Sequence, residues 1–445
     1  MHHLTKTLLL SALVAIFLVG CANQQPAAPS AENADAFAIQ NVTVIDVKTG
    51  EKAIGQTVLV RGNQIAEAGP AAQVQVPAGV KVVSGQGRFL IPGIWDMHIH
   101  AMRAPDRALP LLVARGVSGA RDMGADPAKI DYTRQAIEKG LISPRLYIAG
   151  EGLEGEAGQR PGHPPNTVLD TPDKARAQIQ KLAAAKVNFL KAHNALQPPV
   201  YAAVMDEAKK FNLPVDGHLQ PGMDLIAASD AGQRTIEHMN GLQESCAANP
   251  ADLRAKPEAP PIQINKARCE QVIRHLAEKG TWITPTLGGP GDGNPRARQY
   301  ELALVKMAAD GGVRLLAGTD YNGAGYPVHN YNGTNADVRD ELAGMVEAGL
   351  TPLEALQTAT LNPAIVTGWE SQLGAVQTGK LADLLLLEGD PTADITAIKR
   401  AAAVVVNGKL IEAAEMKKMI DDEMAAREKE KNEPTAAAPT QTSQQ

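Results

Sequence analysis

The chain has 445 residues, 44% of them hydrophobic and 21% charged, which is enough for one large domain and a smaller one. A formal net charge of −6 and an aromatic content of 3% argue against a nucleic-acid partner, which needs a basic surface and stacking side chains. The 40 glycines and 30 prolines imply many loops between short elements.

At the start of the chain Lys6 precedes an apolar run from Leu8 to Val19, too short to span a bilayer and typical of a secretory signal. The run ends in Leu18-Val19-Gly20-Cys21, which resembles the lipobox of a bacterial lipoprotein; a plain signal peptide with a chance cysteine is the alternative. The resemblance implies removal of residues 1–20 and a lipid on Cys21. It also implies an exported protein facing the periplasm, attached to the outer membrane because Ala22 is not the aspartate that retains such proteins at the inner one. Residues 21–36, rich in Ala, Pro, Gln and Asn, read as a disordered tether.

Period-two alternation in Val42-Thr43-Val44-Ile45-Asp46-Val47 and Val58-Leu59-Val60 predicts antiparallel strands over residues 37–91. A second such segment, 373–412, contains Leu384 to Leu387 and a hairpin turn at Asn407-Gly408. The two segments predict a small β-sandwich built from both ends of the chain. Between them, residues 92–372 alternate helical stretches, such as Thr171–Ala185 and Tyr201–Phe211, with short apolar strands. The strands are read as ending at His100, Met123, Gly150, Lys191, His218, His238, Pro285 and Asp320. Eight strand–helix units predict an α/β fold, a (β/α)8 TIM-like barrel. Thr351-Pro352 has the form of a helix start. Residues 413–445 predict a charged, solvated helix from Met416 to Lys431 and a disordered tail. Cys246 and Cys269 form an even pair in an exported chain and predict a disulfide, with two buried thiols as the alternative.

The chemistry concentrates at predicted strand ends. In Trp95-Asp96-Met97-His98-Ile99-His100 the two histidines share one face of a strand, the barrel interior, where they make poor packing and good metal ligands. Later strands end in Lys191, His218, His238 and Asp320, also ligand types, at the end of a barrel that carries active sites. Each alone has a plain structural explanation, a buried histidine or a helix-capping aspartate; together they point to a metal centre.

These residues, with Gly116-Val117-Ser118-Gly119-Ala120-Arg121-Asp122-Met123-Gly124, Ala348-Gly349-Leu350-Thr351-Pro352-Leu353-Glu354-Ala355-Leu356 and Gly379-Lys380-Leu381-Ala382-Asp383-Leu384, resemble the amidohydrolase superfamily in its imidazolonepropionase-like and prolidase-like (Xaa-Pro dipeptidase) branch. The resemblance implies two divalent metal ions, zinc the expected identity. His98, His100 and Asp320 would hold the first, His218 and His238 the second, and Lys191 would bridge them as a carbamate derived from carbon dioxide. The alternative for Lys191 is a strand-end lysine paired to an acid. The implied reaction is hydrolysis of an amide C–N bond in a small molecule, an N-acyl amino acid or dipeptide, by a metal-bridging hydroxide with Asp320 as proton shuttle.

Relatives often carry a histidine in a Leu-His-x-Glu-Leu motif where this chain reads Val338-Arg339-Asp340-Glu341-Leu342, so that histidine's role is vacant here. Arg339, His163, His193 and Tyr321 are candidates for substrate binding, each equally readable as an ordinary loop or helix residue. One rival is a mononuclear aminohydrolase (deaminase) on the same fold. Such enzymes typically carry a glutamate three residues past the fifth-strand histidine, and His218-Leu219-Gln220-Pro221 has none. The other rival is a non-catalytic metal- or ligand-binding lipoprotein. Expected partners are a small-molecule amide, the membrane through the lipid anchor, and further copies of the chain in a homo-oligomer.

Overall fold

A computed structural model of the chain describes residues 36–158, 167–288, 294–321 and 337–432. The chain opens with β1 (Phe37–Ile45), β2 (Lys52–Arg61), β3 (Gln64–Pro70), β4 (Lys81–Ser84) and β5 (Phe89–Pro92). Among the described residues nine short strands occupy the centre: β6 (Ile94–Ile99), β7 (Val117–Asp122), β8 (Arg145–Ile148), β9 (Leu153–Glu154), β10 (Thr167–Val168), β11 (Leu190–Ala192), β12 (Val215–Gly217), β13 (Thr235–Glu237) and β14 (Trp282–Thr284). The last three are β15 (Leu384–Leu387), β16 (Ala401–Val406) and β17 (Lys409–Glu412).

Both ends of the chain meet, as the alternation predicts, but in one sheet. β15 pairs antiparallel with β5, so the C-terminal strands extend the N-terminal sheet edge to edge. The result is one continuous eight-stranded sheet in the order β17-β16-β15-β5-β1-β2-β3, with β4 on β1, a pairing order that does not by itself show the two layers of a sandwich. β15 reads Leu-Leu-Leu-Leu because both of its faces are covered. Leu384 and Leu386 pack with Phe37, Ile39 and Val58, while Leu385 and Leu387 join the large core of the central region. At the β16–β17 turn Asn407 and Gly408 have φ of 49° and 78°, the left-handed pair that a tight hairpin turn requires.

Every central pairing is parallel, in a sheet β6-β7-β8 and a sheet β10-β9-β11-β12-β13-β14. Parallel strands need crossovers, and helices supply them. Thr171 caps the helix Pro172–Ala184 by accepting from Lys174 N, with Pro172 in its first turn. Backbone bonds also run between the two sheets. Asn188 N donates to Ile148 O at 2.8 Å on the approach to β11. The segment 315–321 bonds to β14 through Leu316 N and Ile283 O at 2.9 Å, and to β6 through Met97 N and Ala317 O at 2.8 Å. That segment carries Asp320 to the side of His98.

Cys246, at the end of the helix Leu242–Cys246, is disulfide-bonded to Cys269 in the helix Lys266–Lys279. The final helix, Ala413–Asn432, is not simply solvated as its charge pattern implies. Met416 is buried in the main core, and Glu423 binds Arg107 of the helix Pro105–Ala114 at 2.9 Å and Arg427 at 2.8 Å. Its charges make a seam with the neighbouring helix, and one of its apolar residues anchors it.

Candidate metal centre

Four strands, β6, β11, β12 and β13, and the 315–321 segment converge on one cluster. Period two puts His98 and His100 on one face, with ring centroids 5.5 Å apart. The His98 ring lies 4.5 Å from that of His238, which in turn lies 5.1 Å from that of His218. Asp320 Oδ1 stands 3.3 Å from His100 Nε2 and 3.5 Å from His98 Nε2. One ligand atom from each of His98, His100 and Asp320 falls within 4.8 Å of the others, a group able to hold a metal ion.

Left-handed backbone aims two of these side chains. His238 has φ of 57° and Asp320 φ of 58°, a region that non-glycine residues rarely adopt. Both are pinned there by backbone bonds, His238 N to Thr284 O at 2.9 Å and Asp320 N to His98 O at 2.8 Å.

Three histidines are held through Nδ1. His98 Nδ1 meets Glu237 Oε2 at 2.7 Å, His218 Nδ1 meets Asn194 Oδ1 at 2.9 Å, and His238 Nδ1 meets Thr286 Oγ1 at 2.8 Å. A carboxylate or amide oxygen only accepts, so the proton of His98 and of His218 sits on Nδ1 and the Nε2 lone pair is free. Burial, then the nearby Lys191 ammonium, lowers His98 and His218 well below the ordinary imidazole value. Both are thus neutral, the ligating form. Burial alone would raise Asp320, but the hydrogen bond from His100 and the surrounding imidazoles outweigh it and hold the carboxyl well below its usual range.

Lys191 is fully buried on β11, and burial pushes its ammonium down to about 8 against the pull of Glu237 and Asp320. Among the described residues its Nζ has no hydrogen-bond partner, nor have His98 Nε2 and His100 Nδ1. Leaving a buried polar atom unpaired costs about 1–3 kcal/mol. The orphaned His98 Nε2, 3.5 Å from the ionised Asp320 carboxylate, therefore fits a bound cation, and Lys191 would join it only once its amine has lost its proton.

Beneath the histidines lies a layer of charge that sequence reasoning missed. Arg121 on β7 donates from Nη1 to Asp216 Oδ2 and from Nη2 to Glu237 Oε1, both at 2.8 Å, and from Nε to Met97 O at 2.5 Å. Arg234 binds Asp216 Oδ2 at 2.6 Å. Asp96 accepts from Thr319 Oγ1 at 2.6 Å, yet burial pushes its carboxyl up to about 7. A signal was present: Asp96 and Asp216 each stand two residues before a histidine, on the same strand face.

The weaker candidates separate. His193 stays near the cluster, its ring 4.7 Å from that of His218, and it hydrogen-bonds Glu154. Arg339 is committed to Asp337 at 2.9 Å. The Tyr321 ring packs against the main core, with Arg427 of the last helix beside its hydroxyl. His163 and Cys21 lie outside the described residues.

The profile of the amidohydrolase family matches residues 89–411. Adenine deaminase 3 of Rhizobium meliloti is 25% identical over 386 residues, covering 84% of this chain and 57% of that protein. The chain thus spans little more than half the length of this relative. Imidazolonepropionase of Sphingopyxis alaskensis is 28% identical over 368 residues, covering 75% of this chain and 87% of that protein. Among solved structures, a putative prolidase from Bifidobacterium longum is 22% identical with a TM-score of 0.66, covering 87% of this chain and 99% of that one, a likeness of fold. With a family profile that covers well over half its length, this chain belongs to the amidohydrolase family.

Proposed function

We propose that the chain is a metal-dependent hydrolase, on a closed (β/α)8 barrel, that cleaves the amide C–N bond of a small molecule such as an N-acyl amino acid or a dipeptide. The observation that carries this reading is the convergence of His98, His100 and Asp320 within 4.8 Å, with a buried Lys191 that has no hydrogen-bond partner among the described residues. His98, His100 and Asp320 would hold one ion and His218 and His238 the other. Imidazole and carboxylate donors suit zinc. Two divalent cations would supply Lewis acidity, making water a stronger acid and the scissile carbonyl a better electrophile.

The chain's own residues supply the rest. With its amine pushed down to about 8, Lys191 has a neutral fraction that would add carbon dioxide, an Nζ–C bond forming as a proton leaves, and the resulting carboxylate would serve as an anionic metal ligand. Asp320, held ionised, takes a proton from the attacking water and passes it to the leaving nitrogen as the C–N bond breaks. Products are a carboxylic acid and an amine.

Adenine deaminase as a relative favours a second reading, deamination. Two features weigh against it. No glutamate stands three residues past His218, where Pro221 sits. Gln220 is locked into the scaffold, accepting from Leu196 N at 2.8 Å and donating to His218 O at 3.2 Å. A hydrolysis screen over N-acyl amino acids and Xaa-Pro dipeptides, with and without chelator, decides between them. Chelator-sensitive amide cleavage is expected; ammonia release from aminopurines with no amide cleavage would replace this reading with the second.

A further inference from the structure

Neighbouring residues in a strand point to opposite faces, so Glu237 and His238 should diverge. They do not. The left-handed φ of 57° at His238 breaks the alternation, and both side chains reach His98, Glu237 by a 2.7 Å hydrogen bond and His238 with its ring 4.5 Å away. Glu237 is saturated. Its Oε2 accepts from His98 Nδ1 and from Arg121 Nη2 at 2.9 Å; its Oε1 accepts from Arg121 Nη2 at 2.8 Å and from the Thr235 hydroxyl. Arg121 also binds Met97 O, the carbonyl preceding His98, so one guanidinium grips both the backbone and the ring partner of that histidine. Arg121, Glu237 and Asp216 are all fully buried.

We propose that Glu237 is a positioning residue for the metal centre: it fixes His98 with its proton on Nδ1 and Nε2 turned to the ion, and Arg121 fixes Glu237. This rests on the metal-binding reading above. The carboxylate cannot donate, so only one His98 tautomer fits, and the four hydrogen bonds on Glu237, from three donor groups, leave it no room to turn. A buried ion pair that merely staples strands together would act on folding stability alone. A positioning role acts on metal affinity as well.

Glu237→Gln keeps the shape and gives the side chain a donor end. Turned toward His98, the amide drives the proton to Nε2 and blocks ligation; turned away, it sets NH2 against Arg121. Zinc affinity, measured on the folded full chain against a competing chelator, should fall about 10–100-fold, the usual range for such partners. Melting of the chelator-treated protein reports folding separately. Arg121→Lys retains the buried positive charge and loses the fork, and should weaken zinc binding in the same direction by less; it carries the test if Glu237→Gln does not fold. Wild-type zinc affinity in a folded Glu237→Gln protein, or in Arg121→Lys when that variant alone folds, overturns the proposal. A wild-type chain that takes up no zinc is a different failure, because it removes the functional reading first.

Discussion

Under the proposed reading Asp320 meets two demands that pull apart in most carboxylates: it would share an ion with His98 and His100, 3.5 and 3.3 Å away, and would also take a proton. Asp320→Asn separates them. The amide oxygen can still coordinate, but it accepts no proton, so zinc content should persist while turnover falls about 10²–10⁴-fold. Metal analysis and rate on one preparation check this, and a variant with normal turnover would remove the shuttle role. Glu341 offers a test away from the centre. It accepts from Gly288 N at 2.7 Å, and burial pushes its carboxyl up from 4.5 to about 8. Because the folded value is the higher one, its contribution to stability is complete below about pH 4.5 and is lost as pH rises through about 8. Thermal melts should show stability declining across that window, by up to about 1.4 kcal/mol per pH unit from this group, and Glu341→Gln should flatten the decline. An unchanged slope in the variant would show that Glu341 is not its source.

At the scale of elements, the helix pair joined by Cys246 and Cys269 should depend on its disulfide. In the chain-entropy account, closing a loop of 23 residues contributes about 3 kcal/mol, so Cys246→Ser with Cys269→Ser should lower the denaturation midpoint without abolishing the metal centre. Equal midpoints for variant and parent would show that the bond adds nothing. Much of the element order was legible in the sequence because short apolar strands and capped helices carry local signals. The strand predicted to end at His238 ends at Glu237, and the helix predicted over Thr171–Ala185 spans Pro172–Ala184. The layout of the terminal sheet was not legible. Alternation tells which residues face inward but not which strand edges meet, and the β5–β15 pairing depends on partners almost three hundred residues apart. Likewise period two exposed His98 and His100, whereas Glu237 was hidden, because strict alternation places it opposite His238 and only the left-handed turn at His238 brings both inward. The last helix misled for a related reason: its charges read as solvent contacts, but Glu423 spends them on Arg107 and Arg427.

For the whole molecule, the sheet drawn from both ends of the chain shares its core with the central strands through Leu385 and Leu387, so the catalytic region and its support should unfold together. The proposed export and anchoring lie in the first residues, outside the described structure. Cys21→Ser should release the protein from membranes or block its processing, and unchanged fractionation would remove the lipid anchor from the account. A hydrolase with two metals bridged by a modified Lys191, as proposed, would have a specific metal stoichiometry. If Lys191 bridges two ions as proposed, removing it would leave two cations with one anion fewer between them, and their repulsion would favour the loss of one. Metal analysis and amide-hydrolysis assays on the wild type and Lys191→Ala test this most directly. Two divalent ions per chain and chelator-sensitive activity are expected in the wild type. Fewer ions and lost activity are expected in the variant, partly restored by a short-chain carboxylate. Two ions per chain and full activity in Lys191→Ala would contradict it.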